Sequence, residues 1–461
     1  LWDIRQAEQG GAVSVMSRQK TRLAGMIGFA RRHSPFYRRR YGHLPEGEVD
    51  IHSLPPVTKQ ELMEHFRDWV TDPEVTREGV ERFLSDPDRI GTSFQDRYVI
   101  FATSGTTGRP APFVHDHGGA SVYLALAVVR RVLPLLSPRA LWSFLRGGGR
   151  TAAIVATGGH FTSSVIDGLA RQRYPRLAKR NRTFSLLLPL PALVQEINDF
   201  RPAILGSYPT AMALLAQERD SGALRVDPVL ALTGAEWLSP STRERMASSF
   251  GCPVRDTYAA SEFPGIAFDC EHGRLHLNAD WVVLEPVDAE YRPVPAGRPS
   301  HTALLTNLAN RVQPILRYDI GDRVTMTPLP CPCGSPLPGI QVEGRRDDVL
   351  SLRAKSGGTV ALLPMSLSTV VEETPGVRSY QLIQAGPDRI RLRVEEVPGH
   401  DRKRVCDDLA ARLRTFLSSQ GAAPVDVETT EERPVRDRAG GKLRQVIADP
   451  ATADPSGSSE E

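Results

Sequence analysis

The densest run of phosphate-binding chemistry in this 461-residue chain is Thr103-Ser104-Gly105-Thr106-Thr107-Gly108-Arg109-Pro110. Its glycines let the backbone bend tightly and expose N–H groups, and its hydroxyls add donors, which together suit the wrapping of a polyphosphate. It lacks the Gly-Lys-Ser/Thr ending of a Walker loop. Gly, Ser and Thr are also the material of an ordinary polar turn, so the run alone leaves that reading open. A second constellation joins Cys270-Glu271-His272-Gly273-Arg274-Leu275-His276 to Cys331-Pro332-Cys333-Gly334. Thiols and imidazoles at such short spacings suit a tetrahedral structural Zn²⁺. The plainer alternative is small buried cysteines in a Pro/Gly turn. A third candidate is Lys442, which follows Gly441 in a basic loop, against the usual fate of a lysine as a solvated surface charge.

These groups need elements to hold them. The phosphate-type run follows an apolar β-type stretch, residues 97–102, and from there to about residue 260 apolar strands alternate with helical stretches. Residues 152–156 read as a strand and 211–219 as a helix, an alternation that predicts α/β layers. Upstream, Met16, Leu23, Met26, Ile27 and Ala30 fall at helical spacing and predict one long amphipathic helix over 14–43. Residues 281–329 break into short strands between Pro/Gly turns, as expected of a small β-rich subdomain. After Gly344 a further α+β unit follows, with a strand over 390–394 and a helix over about 401–418. The segment 449–461 is rich in Pro, Ser, Asp and Glu and is expected to be disordered.

Composition narrows the function classes. The hydrophobic fraction of 40% and charged fraction of 24% are those of a globular protein, and 461 residues predict two or three domains. A net charge of +3, spread over 57 basic and 54 acidic residues, does not suggest a nucleic-acid binder. The apolar run at 124–129 is cut by Arg130-Arg131, and residues 1–5 carry no signal-type apolar run, so no membrane partner and a cytoplasmic location are expected. Five cysteines, sparse and odd in number, do not read as a disulfide framework.

The run 103–110 resembles the phosphate-binding signature of the adenylate-forming superfamily, which includes acyl-CoA synthetases, luciferases and peptide-synthetase adenylation domains. Further elements follow in the family's order. Asp256-Thr257-Tyr258-Ala259-Ala260-Ser261-Glu262 looks like the segment whose aromatic ring stacks on adenine and whose Glu helps hold Mg²⁺. Gly234-Ala235-Glu236 is similar to the adenine-contacting turn, and Tyr318-Asp319-Ile320-Gly321-Asp322 to the element whose final Asp binds the ribose hydroxyls. Gly344-Arg345-Arg346-Asp347-Asp348 resembles the inter-domain hinge, with Arg345 beside the nucleotide and Asp347 as pivot, and Gly441-Lys442-Leu443-Arg444 the catalytic-lysine motif. The branch most resembled is the phenylacetate–CoA ligase-like group. Its marks here are Ala111 after Pro110, Trp237 with Ser239-Pro240 after the adenine turn, and Ser34-Pro35-Phe36-Tyr37. Some members of that branch carry a zinc, and position carries its ligands onto Cys270, His276, Cys331 and Cys333, with His272 as the competing nitrogen donor.

The resemblance implies an α/β fold with a large multi-subdomain adenylation domain (1–343), a hinge (344–348) and a small mobile α+β domain (349–448) bearing Lys442. It implies ATP, Mg²⁺ at Glu262, a structural Zn²⁺, a small carboxylic acid, and CoA or a carrier-protein phosphopantetheine as thiol acceptor. A homodimer is compatible with it. The acid's pocket is expected between Ser207-Tyr208 and His160-Phe161, whose rings suit an aryl or otherwise apolar acid as well as they suit a core. Two departures stand out. Ala259 replaces the motif glycine, and Arg353-Ala354-Lys355-Ser356-Gly357-Gly358-Thr359-Val360 replaces the usual run after the hinge. The second departure keeps open an enzyme with an amine or nucleotidyl-transfer acceptor. Lys442, Glu262 and Asp322 weigh against a catalytically inactive nucleotide-binding protein.

Overall fold

Five strands, β3 (Thr151–Val155), β4 (Asn181–Ser185), β5 (Ile204–Ser207), β6 (Leu230–Gly234) and β7 (Val254–Ala260), lie parallel in the computed structural model. The structure describes residues 1–45, 50–102, 111–135, 138–155, 165–166, 168–169, 179–343, 349–435 and 444–448. Parallel neighbours need crossovers, and helices Leu190–Phe200, Pro209–Asp220 and Pro240–Phe250 supply them between β4, β5, β6 and β7. Each has proline in its first turn, where the missing N–H costs nothing. Helix Pro240–Phe250 is capped at its start by the Ser239 side chain and ends on Gly251 at φ 64°, a left-handed position that suits glycine. Inward residues Ile154, Leu205, Met212, Leu215 and Met246 form one core between sheet and helices.

At β7 the pairing reverses. Strands β8 (Phe263–Asp269), β9 (Leu275–Leu277), β13 (Arg323–Met326) and β14 (Gly339–Glu343) extend the same sheet antiparallel, giving the nine-strand order β13-β14-β9-β8-β7-β6-β5-β3-β4. A separate three-stranded sheet holds β10 (Val282–Val287), β11 (Thr302–Asn307) and β12 (Ile315–Asp319). The β-rich region expected over 281–329 is therefore shared: β10–β12 stand apart, while β13 joins the main sheet.

Two element readings change. The helix expected over 14–43 is two helices, Gly11–His33 and Pro35–Tyr41, because Ser34 precedes a proline and is held extended at φ −103°, ψ 115°. The strand expected over 97–102 is β1 (Tyr98–Ala102), and it lies outside the main sheet. It pairs antiparallel with β2 (Pro112–Asp116) as a hairpin, with Ala102 opposite Pro112. Hairpin, amino-terminal helices and β8–β12 share a second large core that includes Tyr37, Trp69, Phe113 and Phe263.

Residues 350–446 build a third core. It packs hairpin β15 (Leu350–Arg353) and β16 (Thr359–Leu362), a four-stranded sheet of β17 (Val377–Gly386), β18 (Arg389–Glu396), β19 (Asp426–Thr430) and β20 (Val446–Ile447), and helices Pro364–Glu372 and Arg402–Ser419. It touches the end of β4, where Ser366 Oγ donates to Leu186 O at 2.9 Å and Gln420 Nε2 to Leu187 O at 2.6 Å. Among the described residues no helix is long and apolar enough to cross a membrane.

Candidate functional site

The carboxyl ends of parallel strands and the point where pairing reverses are where α/β folds leave a crevice. The motif residues of β5, β6 and β7 converge there. Gly234 ends β6 opposite Thr257 of β7, and a Cβ added at Gly234 would stand 3.1 Å from Thr257 O. Ala235 follows at φ 70°, an uncommon conformation for a residue with a side chain. The Glu236 carboxylate accepts from Thr210 N at 2.9 Å and from Thr210 Oγ1 at 2.8 Å, so it caps the first turn of helix Pro209–Asp220. Asp256 accepts from Thr233 Oγ1 at 2.8 Å, and desolvation raises its carboxyl above the usual range. Thr257 Oγ1 is buried and has no hydrogen-bond partner among the described residues.

Next to them three elements close on one another. Tyr258 donates its phenol to Asp322 Oδ2 at 2.7 Å, across 64 residues of sequence. Glu262 is buried, and desolvation raises its carboxyl although Tyr318 hydrogen-bonds to it. Asp319, the other acid of the 318–322 element, accepts from Tyr291 Oη and Gly321 N, each at 2.9 Å, and from Thr302 Oγ1, so it braces that turn. The hairpin reaches the same place, with Ser261 Oγ donating to Ala102 O at 3.3 Å. Ala102, where β1 ends, is thus held beside the β7–β8 turn.

Not every expected group meets here. Ser207 Oγ is buried and donates to Ile154 O at 2.7 Å, which commits its hydroxyl to β3. Tyr208 is buried at the start of helix Pro209–Asp220. Residues Thr103, Ser104, Gly105, Thr106, Thr107, Gly108, His160, Phe161, Arg345, Asp347 and Lys442 lie outside the described residues. The divergent run after the hinge forms the β15–β16 turn and, with Pro387, Ala423 and Pro424, lines an open groove of about 630 Å³. Sequence reasoning passed over His115, a lone histidine in the apolar strand Phe113-Val114-His115, which lies fully buried against Ser261.

The cysteine cluster lies on the other side of β8. Ligand atoms of Cys270, His276, Cys331 and Cys333 all fall within 4.8 Å of one another. Cys270 Sγ is 3.6 Å from Cys331 Sγ, and Cys333 Sγ is 3.3 Å from His276 Nε2. Zinc–sulfur bonds of about 2.3 Å put tetrahedral sulfur pairs roughly 3.8 Å apart, so the spacing fits that ion. His276 Nδ1 faces Leu337 O at 3.1 Å and so carries the proton, which leaves the Nε2 lone pair turned to the thiols. Desolvation and the neighbouring thiols raise the Cys333 thiol, while hydrogen bonds from Cys333 and Cys270 lower that of Cys331, so the thiols act on one another. The competing donor, His272, is half exposed and turned to Glu271 at 3.9 Å; His276 is the imidazole in the cluster.

These features sit on a known architecture. The chain superimposes on 2-hydroxyisobutyryl-CoA ligase in its thioesterification state with TM-score 0.57 and 20% identity, covering 96% of this chain and 92% of the ligase. The open conformation of that ligase, bound to 2-HIB-AMP and CoA, gives 0.52 at 20% identity, over 94% and 91%. The chain has the fold of the adenylate-forming ligases. In sequence it is similar to protein CapK of Staphylococcus aureus, 23% identical over 332 residues, which span 69% of this chain and 67% of CapK. No protein-family model matches it.

Proposed function

We propose that this protein activates a carboxylic acid as its acyl-AMP, releasing pyrophosphate, and then passes the acyl group to a thiol, CoA or a carrier-protein phosphopantetheine. The observation that carries this reading is the convergence of hairpin, Tyr258, Glu262 and Asp322 at the mouth of a fold shared with a ligase seen bound to an acyl-AMP. The carboxylate of the acid attacks the α-phosphorus, and pyrophosphate leaves. Such a step is accelerated mainly by positioning and by neutralising charge. Residues 103–108 cradle the β- and γ-phosphates, Tyr258 stacks on the adenine, and Asp322 holds the ribose. Glu262 offers the carboxylate oxygen that Mg²⁺ favours, and the ion would offset phosphate charge there. Lys442 bridges the acid and the α-phosphate, and rotation of 349–448 about Asp347 withdraws it before transfer.

The branch we favour is the phenylacetate–CoA ligase-like one, with an aryl or apolar acid, and Cys270, His276, Cys331 and Cys333 holding a structural Zn²⁺. Four protein ligands leave no position for substrate, so its work is to pin β9 to the 331–334 turn. The divergent 353–360 turn supports a second reading, in which the adenylate passes to an amine. Pyrophosphate release across a panel of carboxylic acids tests the first half-reaction, and product mass spectrometry with CoA, carrier protein or amine separates the acceptors. Lys442→Ala should slow adenylation on the order of 10²-fold or more while transfer from a pre-made acyl-adenylate survives. Equal loss of both half-reactions, or of neither, overturns the assignment.

A further inference from the structure

His115 has no part in the chemistry above, yet it is fully buried and joined at both ring nitrogens. Its Nε2 lies 2.9 Å from Ser261 O and its Nδ1 3.0 Å from Tyr123 Oη. A carbonyl only accepts, so Nε2 carries the proton and donates, Nδ1 accepts, and Tyr123 donates to it. The Tyr123 oxygen then accepts from Asn307 Nδ2 at 2.9 Å. The Asn307 amide has one orientation here, because Nδ2 also donates to Glu262 O at 2.8 Å while Oδ1 accepts from Ala309 N at 2.8 Å and Asn310 N at 3.1 Å. Every proton in this chain has one direction. Both ends finish on consecutive backbone carbonyls, Ser261 and Glu262.

His115 stands on β2, the strand that leaves the 103–110 connection, and Asn307 ends β11. Neighbouring bonds hold the same strand: Gln313 Oε1 accepts from Val114 N at 2.7 Å, and Asn310 Nδ2 donates to Val114 O at 2.8 Å. Phe101 and Tyr123 close around the imidazole, with ring centroids at 5.0 and 5.4 Å.

We propose that His115 is a positioning residue for the nucleotide: through the chain Asn307–Tyr123–His115–Ser261 it sets the phosphate-loop hairpin against the turn bearing Glu262. The proposal rests on the adenylation reading. A misplacement of a fraction of an ångström between phosphate donors and the carboxylate would fall on ATP, whereas the acid, which the proposed function puts toward β5, would be untouched.

The test uses the full chain with His115→Phe, which keeps a flat ring but neither nitrogen, and His115→Gln, whose amide N–H can still reach the Ser261 carbonyl. Steady-state pyrophosphate release is measured against MgATP and against the acid, at a temperature where both variants are folded by circular dichroism. His115→Phe should raise KM for MgATP by roughly tenfold or more with KM for the acid within about twofold, and His115→Gln should recover to within about threefold of wild type. Both KM values moving together, neither moving, or Gln failing as badly as Phe overturns the positioning role. NMR of labelled histidine in the wild-type protein supplies a readout independent of turnover, and a His115 protonated at Nδ1 instead of Nε2 also overturns it. A wild-type chain that neither binds MgATP nor releases pyrophosphate with any acid sinks the adenylation reading itself.

Discussion

The two polar clusters flanking β8 are built from different chemistry. Around Glu262 donors meet acceptors: Tyr258 with Asp322, Tyr318 with Glu262, His115 and Asn307 with the turn carbonyls. Around Cys331 soft, metal-type groups converge, with two thiols 3.6 Å apart and the Cys333 thiol 3.3 Å from the His276 Nε2 lone pair, contacts that only weak S–H donors can bridge. A network of oxygen and nitrogen partners is stable as it stands and can wait for a ligand, whereas weak S–H contacts contribute little and the same sulfur and nitrogen atoms gain most from a cation between them. The difference supports the substrate role we propose for the first cluster and the structural role we propose for the second.

The sharpest way to break that contrast is to remove the metal donors. Purified protein should contain about one zinc per chain, and Cys331→Ser with Cys333→Ser should abolish it and lower Tm by roughly 5 °C or more. Zinc-free wild type of unchanged stability would make these cysteines ordinary turn residues.

A smaller effect is expected from protonating the Glu262 side. Burial pushes the His115 imidazole down to about 4 from its ordinary 6.5. Between those values the unfolded chain binds the extra proton, so the contribution is complete above pH 6.5 and lost as pH falls to 4. It amounts to about 3 kcal/mol. Asp269 runs the opposite way: burial raises it to about 6 from 3.8, and it favours the folded state as pH falls through that range. The measurement is accordingly the difference in unfolding free energy between wild type and His115→Gln from pH 4 to 7. A difference that stays flat with pH contradicts a neutral buried His115.

The smallest effect belongs to the paired network itself. Asp322→Ala removes the acceptor for Tyr258, and stability should fall by only about 1–2 kcal/mol. KM for MgATP, in contrast, should rise roughly tenfold, as the proposed ribose contact of Asp322 requires. A large loss of stability with unchanged KM would make Asp322 structural and blur the distinction between the clusters.

Much of the architecture was legible because it rests on local chemistry. Apolar runs between helical stretches announced the parallel strands, and the spacings around Cys270 and Cys331 announced a metal-type cluster. The motif order pointed to the adenylate-forming fold that the solved ligases share. Sequence also placed proline after Ser34, and the helix break there could have been read from it. Other features were decided only by the tertiary structure, because they depend on strand register and on which distant turns touch. Pairing of β9 with β14 puts His276 opposite Gly339, beside the cysteine turn, while His272 stays on the exposed β8–β9 connection. The Tyr258–Asp322 bond, the commitment of Ser207 to β3 and the hairpin's place outside the main sheet have the same origin. So does the burial of His115: a histidine's neighbours along a strand say what it is next to in sequence, but its hydrogen-bond partners came from a helix and from a turn 146 residues away, brought together by packing.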